Sequence, residues 1–269
     1  MEESKSHKTF AHSEKGEGKN KLECQDTFCV MEDFYRRMTF LAVYDGHGPN
    51  GRHASDLANS SIRNYLLDNK ETLASLDGEE GVKKFFKNMC SEIQDLYHKD
   101  ELDYQLSGTC AIMVRVKDDM IYTGNLGDSR AVIARCSKDE TCGLEVSIDQ
   151  KPTRQGEKER MIASGGKIRR TAVGDEEVGP YRVWKAKDGV PGIAISRSLG
   201  DLMAHEIGVC AEPEVTAKKI HADDKFIVMG FDGVWDVMSS AEAVGFILHL
   251  PVTEKEIAAK KMVAECRKK

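Results

Sequence analysis

The segment Met38-Thr-Phe-Leu-Ala-Val-Tyr44 constrains the fold of this chain most strongly, because it is apolar on both faces and runs directly into Asp45-Gly-His-Gly48. A stretch with no polar face has to be covered on both sides. It therefore reads as a buried strand, and the glycines mark the turn that ends it. The same arrangement returns far downstream, where residues 225–230 form a second buried strand followed by Asp232-Gly233.

Residues 52–68 carry apolar side chains at Ala54, Leu57, Ala58, Ile62, Tyr65 and Leu66, and residues 79–98 repeat the pattern with Val82, Phe85, Phe86, Met89, Ile93 and Leu96. Both follow the period of an amphipathic helix. Four short β-like runs come next, at 109–116, 120–123, 130–135 and 144–148, with turn signals at Lys117-Asp-Asp119 and Gly127-Asp128. Strands in such close succession favour antiparallel hairpins over βαβ units. Residues 150–192 read as loop-rich, with a short helix over 157–164. Two helices close the chain, opened by the capping-box patterns Ser239-Ser-Ala-Glu242 and Thr253-Glu-Lys-Glu256. Residues 1–20 form a polar N-terminal segment in which 7–13 reads as a short edge strand. No repeat or linker interrupts the rest, so residues 21–269 read as one α+β domain with helices covering β-sheet faces.

Composition narrows the function. A net charge of −6 argues against nucleic acid as a partner, because phosphate binding needs clustered positive charge. No apolar run approaches the roughly 20 residues that cross a bilayer, and Met1 to Lys8 lacks the apolar core of a secretory signal. The eight cysteines form no C-x-x-C pair and read as reduced thiols in a cytoplasmic or nuclear protein. Trp184 and Trp235 read as core aromatics. There is no P-loop, no H-E-x-x-H, no Cys followed six positions later by Arg, and no D-x-D pair. The usual phosphate-binding and covalent-nucleophile signatures are therefore missing.

What remains is a set of aspartates beside glycines at strand ends: Asp45-Gly46, Gly127-Asp128, Gly200-Asp201 and Asp232-Gly233. Each pair alone is an ordinary turn dipeptide. Two of them directly follow buried strands, which points to a shared acidic pocket. Oxygen-only ligands suit hard cations such as Mg²⁺ or Mn²⁺. His47, two residues from Asp45, is placed to act as a general acid, to donate from behind the site, or to lie exposed in the turn.

Six motifs occur in series: Val43-Tyr-Asp-Gly-His-Gly48, Leu106-Ser-Gly-Thr109, Gly127-Asp-Ser-Arg130, Asp149-Gln-Lys-Pro152, Ile195-Ser-Arg-Ser-Leu-Gly-Asp201 and Phe231-Asp-Gly-Val-Trp-Asp-Val237. In this order and spacing they resemble the metal-dependent Ser/Thr protein phosphatases of type 2C, from about Lys21 to the end of the chain. The resemblance implies a central sandwich of two antiparallel β-sheets flanked by α-helices. It implies two Mg²⁺ or Mn²⁺ ions at one end, with a weaker third. Asp45 would bridge the two metals, with Gly46 as a carbonyl ligand and Asp232 on the second metal. Asp128 would hold the third ion, and Asp26 falls at the family's acidic pair. Lys21 would hold the substrate phosphate and His47 would be the general acid. Asp201 and Asp236 would support rather than coordinate. The implied reaction is hydrolysis of phosphoserine and phosphothreonine in phosphorylated proteins by a metal-bridging water, in a monomer with no membrane or nucleic-acid partner.

Three departures stand against that pattern. Gln25 replaces a common Glu, which removes a charge beside the metals. Lys21 replaces Arg, a point charge for a bidentate fork. The chain ends without the family's final Asp-Asn motif and its core strand, so the domain reads as incomplete at its C-terminus. These departures keep open a second reading, a pseudophosphatase acting as a binding or regulatory module. Lys167-Ile-Arg-Arg170 reads as a solvated loop in the region of the family's variable flap, with contact to acidic or phosphorylated substrates as the alternative.

Overall fold

The computed structural model describes residues 8–16, 23–137, 141–174, 176–185 and 189–269. Two antiparallel sheets stack face to face. The first runs β1 (Asp26–Tyr35), β2 (Met38–His47), β3 (Gly108–Lys117), β4 (Met120–Leu126) and β11 (Glu214–Lys219), in that spatial order. A two-residue strand, β10 (Leu199–Gly200), pairs with the start of β3. The second sheet runs β12 (Asp224–Gly230), β5 (Arg130–Cys136) and β6 (Thr141–Glu145).

Alternation along the strands explains why they are apolar on both faces. On β2, Leu41 and Val43 point between the sheets, where they meet Ile112 and Val114 of β3 and Ala131 and Ile133 of β5. Phe40, Ala42 and Tyr44 point the other way, onto Ala54, Ala58 and Ile62 of α1 (Gly51–Asp68) and Phe86 and Met89 of α3 (Glu79–Lys99). The outer face of the second sheet, with Val132, Ala134 and Val228, is covered by α6 (Asp232–Trp235), α7 (Ser240–His249) and α8 (Ala258–Cys266) through Trp235, Ala243, Val244 and Met262. The sandwich with flanking helices is the architecture expected.

Details differ from expectation. β1 had no place in the strand reading, although buried Cys29 and Met31 alternate along it. The strand expected at 144–148 lies at Thr141–Glu145. Of the expected edge strand at 7–13, residues 8–13 carry no strand, and His7 lies outside the described residues. The Ser239–Glu242 capping box forms. The Thr253–Glu256 pattern does not, because Val252–Ile257 tightens into a 3₁₀ turn whose own bonds satisfy the backbone.

The largest correction is at residues 167–184. They form a hairpin rather than a loop, with β7 (Lys167–Val173) paired to β8 (Glu176–Trp184) and β9 (Pro191–Ile193) beside β8. Ile168, Val183 and Ile193 pack against Met161 of α4 (Gln155–Ala163) and against Ala204, Ile207 and Val209. Only one face of the hairpin is apolar, and the charges on the other face hide the strand period.

Candidate metal centre

Antiparallel pairing brings the acidic turns to one end of the sandwich. β1 and β3 begin there, and β2 and β4 end there. β12 finishes beside the start of β5, with Gly230 opposite Arg130. Asp26 opens β1 and stands directly opposite Asp45 on β2. Asp128 follows β4 and is buried, and Asp232 opens α6 after β12.

Asp45 is the electrostatic focus. Burial, followed by the charges of Asp232, Asp26 and Asp128, pushes its carboxyl well above the usual carboxylate range, and only His47 opposes this. Three carboxylates from separate strand ends therefore converge on Asp45. Gly46 is required where it stands, since a Cβ there would lie 2.2 Å from the Gly51 carbonyl oxygen and 2.4 Å from that of Gln25.

Asp128 is ion-paired to the Lys151 ammonium, which Asp236 and Asp149 also face. The Cys110 thiol points at the other oxygen of Asp128, at 3.4 Å. Lys151, in Asp149-Gln-Lys-Pro152, had no assigned role in the sequence. Gln25 donates its amide to the Gly48 carbonyl at 2.9 Å, so it braces the turn that carries His47. Lys21 lies outside the described residues.

His47 Nε2 lies 2.7 Å from Asp201 Oδ2. Burial alone would lower its pKa, but the charge and hydrogen bond of Asp201, then Asp45 and Asp128, carry it up to about 9. Asp201 is buried, takes a left-handed backbone at φ 46°, and accepts from Ser198 Oγ at 2.5 Å. Such a conformation costs a non-glycine residue roughly 1–3 kcal/mol and persists only where its surroundings enforce it. Here Gln94 grips the preceding residue at both ends, accepting from Gly200 N–H at 2.8 Å and donating to its carbonyl at 2.9 Å. Gly108 leaves the room, since a Cβ there would sit 2.4 Å from Asp201 Oδ2.

The donors suit a hard divalent cation: carboxylate oxygens with a backbone carbonyl beside them, and a focal carboxylate raised by burial and then by its like-charged neighbours. Among the described residues, no three His, Cys, Asp or Glu side chains close into a finished cage.

A two-sheet sandwich with acidic turns gathered at one end has clear counterparts among known proteins. The sequence profile of the Protein phosphatase 2C family matches residues 11–269. The chain is 34% identical over 261 residues to Probable protein phosphatase 2C 73 of Arabidopsis thaliana, covering 90% of this chain and 69% of that protein. It is also 34% identical to Probable protein phosphatase 2C 41 of the same plant, covering 93% and 72%. Among solved structures, a serine-threonine phosphatase 2C from Toxoplasma gondii superposes with a TM-score of 0.77 at 18% identity, over 92% of this chain and 86% of that one. A C. elegans sex determining protein superposes at 0.73 and 20% identity, over 92% and 59%. The chain belongs to the protein phosphatase 2C family, whose members are metal-dependent serine/threonine protein phosphatases.

Proposed function

We propose that this chain hydrolyses phosphoserine and phosphothreonine esters with Mg²⁺ or Mn²⁺ held by Asp45, the Gly46 carbonyl, Asp26 and Asp232. The observation that carries this is the raised carboxyl of Asp45 among Asp26, Asp128 and Asp232, a concentration of negative charge that divalent cations would relieve. When bound, such ions lower the pKa of water and offset charge on phosphoryl oxygens.

The chain's own residues supply the rest. The Asp201 carboxylate orients the His47 ring and holds a proton on it. A protonated His47 is then able to donate to the departing serine or threonine oxygen. Lys151 offsets part of the Asp128 charge through their ion pair. Lys21 is proposed as the cation for the substrate phosphate.

Hydrolysis of p-nitrophenyl phosphate tests the reading. Turnover requires added Mn²⁺ or Mg²⁺, stops with EDTA, and returns when metal is restored. Turnover that survives exhaustive chelation would remove the metal-centre reading.

A further inference from the structure

The β7–β8 hairpin carries a charge arrangement that neither the metal centre nor the core uses. Arg169 and Arg182 are direct cross-strand partners, and Lys167 is paired with Trp184 two positions along. Cross-strand partners and residues two apart share a face, so these three cations stand on one side of the hairpin. Ile168 and Val183 bury the other side. Like charges placed directly opposite destabilise a strand pair unless something neutralises them. Among the described residues, Lys167, Arg169, Arg170 and Arg182 pair with no carboxylate.

Their order comes from elsewhere. The Arg169 guanidinium lies over the Trp184 ring at 4.5 Å, and Trp184 Nε1 donates back to the Arg169 carbonyl at 3.1 Å. Gly192 packs so closely under that ring that a Cβ would meet it at 2.4 Å. Arg182 Nη1 donates to the Gly192 carbonyl at 2.7 Å. Arg170, at the irregularity between Arg169 and Thr171, lies over the exposed Tyr181 ring at 5.3 Å. Stacked guanidiniums keep their in-plane donors free for a planar anion and lose little freedom on binding one. The nearest acids on the hairpin, Glu176 and Glu177, pair with Val173 and Ala172 nearer the turn and form no ion pair with these arginines.

We infer that this basic face docks an acidic segment of the substrate protein, a run of Asp or Glu side chains outside the phosphorylated residue. The hairpin is tied to the site by sequence: β9 ends at Ile193, and Asp201, the partner of His47, follows eight residues later. A fully extended chain of that length spans at most about 28 Å, so one bound polypeptide reaches both places. The inference names a substrate preference for the proposed phosphatase site and rests on that reading.

A phosphate-free, fluorescein-labelled peptide rich in Glu, with its Gln counterpart, tests the docking without any turnover. Anisotropy is expected to show the Glu peptide binding in a salt-sensitive manner and the Gln peptide not binding. The double variant Arg169→Gln, Arg182→Gln is expected to weaken binding about tenfold, as for two lost charge contacts. It keeps metal-dependent p-nitrophenyl phosphate turnover. The charge-matched pair Lys83→Gln, Lys84→Gln on α3 leaves binding unchanged. With phosphopeptides, Glu flanks lower KM relative to Gln flanks, and the arginine variant erases that difference without changing kcat.

Equal binding of the Glu and Gln peptides overturns the inference, as does an arginine variant that binds like wild type or a lysine variant that weakens as much. An oligonucleotide or anionic vesicle that binds this face more tightly than the peptide, and is lost in the same arginine variant, overturns it too. Peptide binding that behaves as expected in a protein without metal-dependent turnover would instead sink the phosphatase reading and leave the acidic-peptide face standing.

Discussion

Asp26 and Asp45 face each other directly across adjacent antiparallel strands, with no residue between them in the register. Side chains so placed have Cβ atoms about 4.5–5.5 Å apart, and two like charges there oppose folding. Burial and the added charges of Asp232 and Asp128 sharpen the conflict at Asp45. The end of the sandwich is thus built at some expense to the metal-free fold.

Asp45→Asn is therefore expected to do two opposite things. It abolishes phosphatase turnover, and it raises the melting temperature of the metal-free chain, since relief of about 1 kcal/mol shifts a domain of this size by roughly 2–4 °C. Added Mn²⁺ raises the melting temperature of the wild type and has a much smaller effect on the variant. Differential scanning fluorimetry with and without EDTA reads both effects. A metal-free variant that melts below the wild type would contradict the repulsion argument.

Gln25 braces the Gly48 carbonyl where a Glu is the expected relative. Gln25→Glu removes that donor and adds a further carboxylate next in sequence to Asp26 of the Asp26–Asp45 pair. The metal-free chain should lose about 1 kcal/mol, the worth of one exposed hydrogen bond, while the stabilisation gained on adding Mn²⁺ increases. Calorimetric titration with Mn²⁺ compares the affinities, and a weaker ion affinity in the variant would reverse the assignment.

The His47–Asp201 pair makes a pH-dependent prediction. With its folded pKa raised from 6.5 to about 9, His47 contributes stability that is complete below pH 6.5 and is lost as pH rises through about 9. Asp201→Asn in the metal-free chain should thus cost more at pH 6 than at pH 10, and the His47 ring, followed by NMR, should titrate well below its wild-type midpoint. His47→Gln should slow phosphopeptide hydrolysis by about 10²–10⁴-fold and slow p-nitrophenyl phosphate much less, because nitrophenolate leaves without help. Equal losses on both substrates would assign His47 a structural role only.

Away from the metals, Glu157 on α4 is almost fully buried and joined to Arg197, Arg160 and Ser196 at 2.6 Å each. Burial alone would raise its carboxyl, but these donors carry it from 4.5 down to about 2. A depressed carboxylate contributes stability above its unfolded pKa and loses it as pH falls through the folded value. The shift corresponds to roughly 3 kcal/mol at about 1.4 kcal/mol per pH unit. Glu157→Gln should cost a comparable amount at pH 7 and far less at pH 2.5, read by urea melts at the two pH values.

The sequence already contained one strand of each sheet, because Met38–Tyr44 and the apolar run ending at Gly230 read as strands to be covered, and antiparallel order follows from short spacings. It also contained the acidic turns, since Asp beside Gly at the exit of a buried strand is a local pattern. The partners of those residues were not legible. Asp201 reaches His47 across 154 positions, and Lys151 reaches Asp128 across 23. Neither pairing leaves a local period. Trp184, expected in the core, proved to be a half-exposed platform for Arg169, and a stretch read as loop became the hairpin that presents it. Burial and turn chemistry act between neighbours in sequence, so a linear reading recovers them. Charge pairing, ring stacking and strand register act between residues that only the folded chain brings together, so the tertiary structure alone decides them.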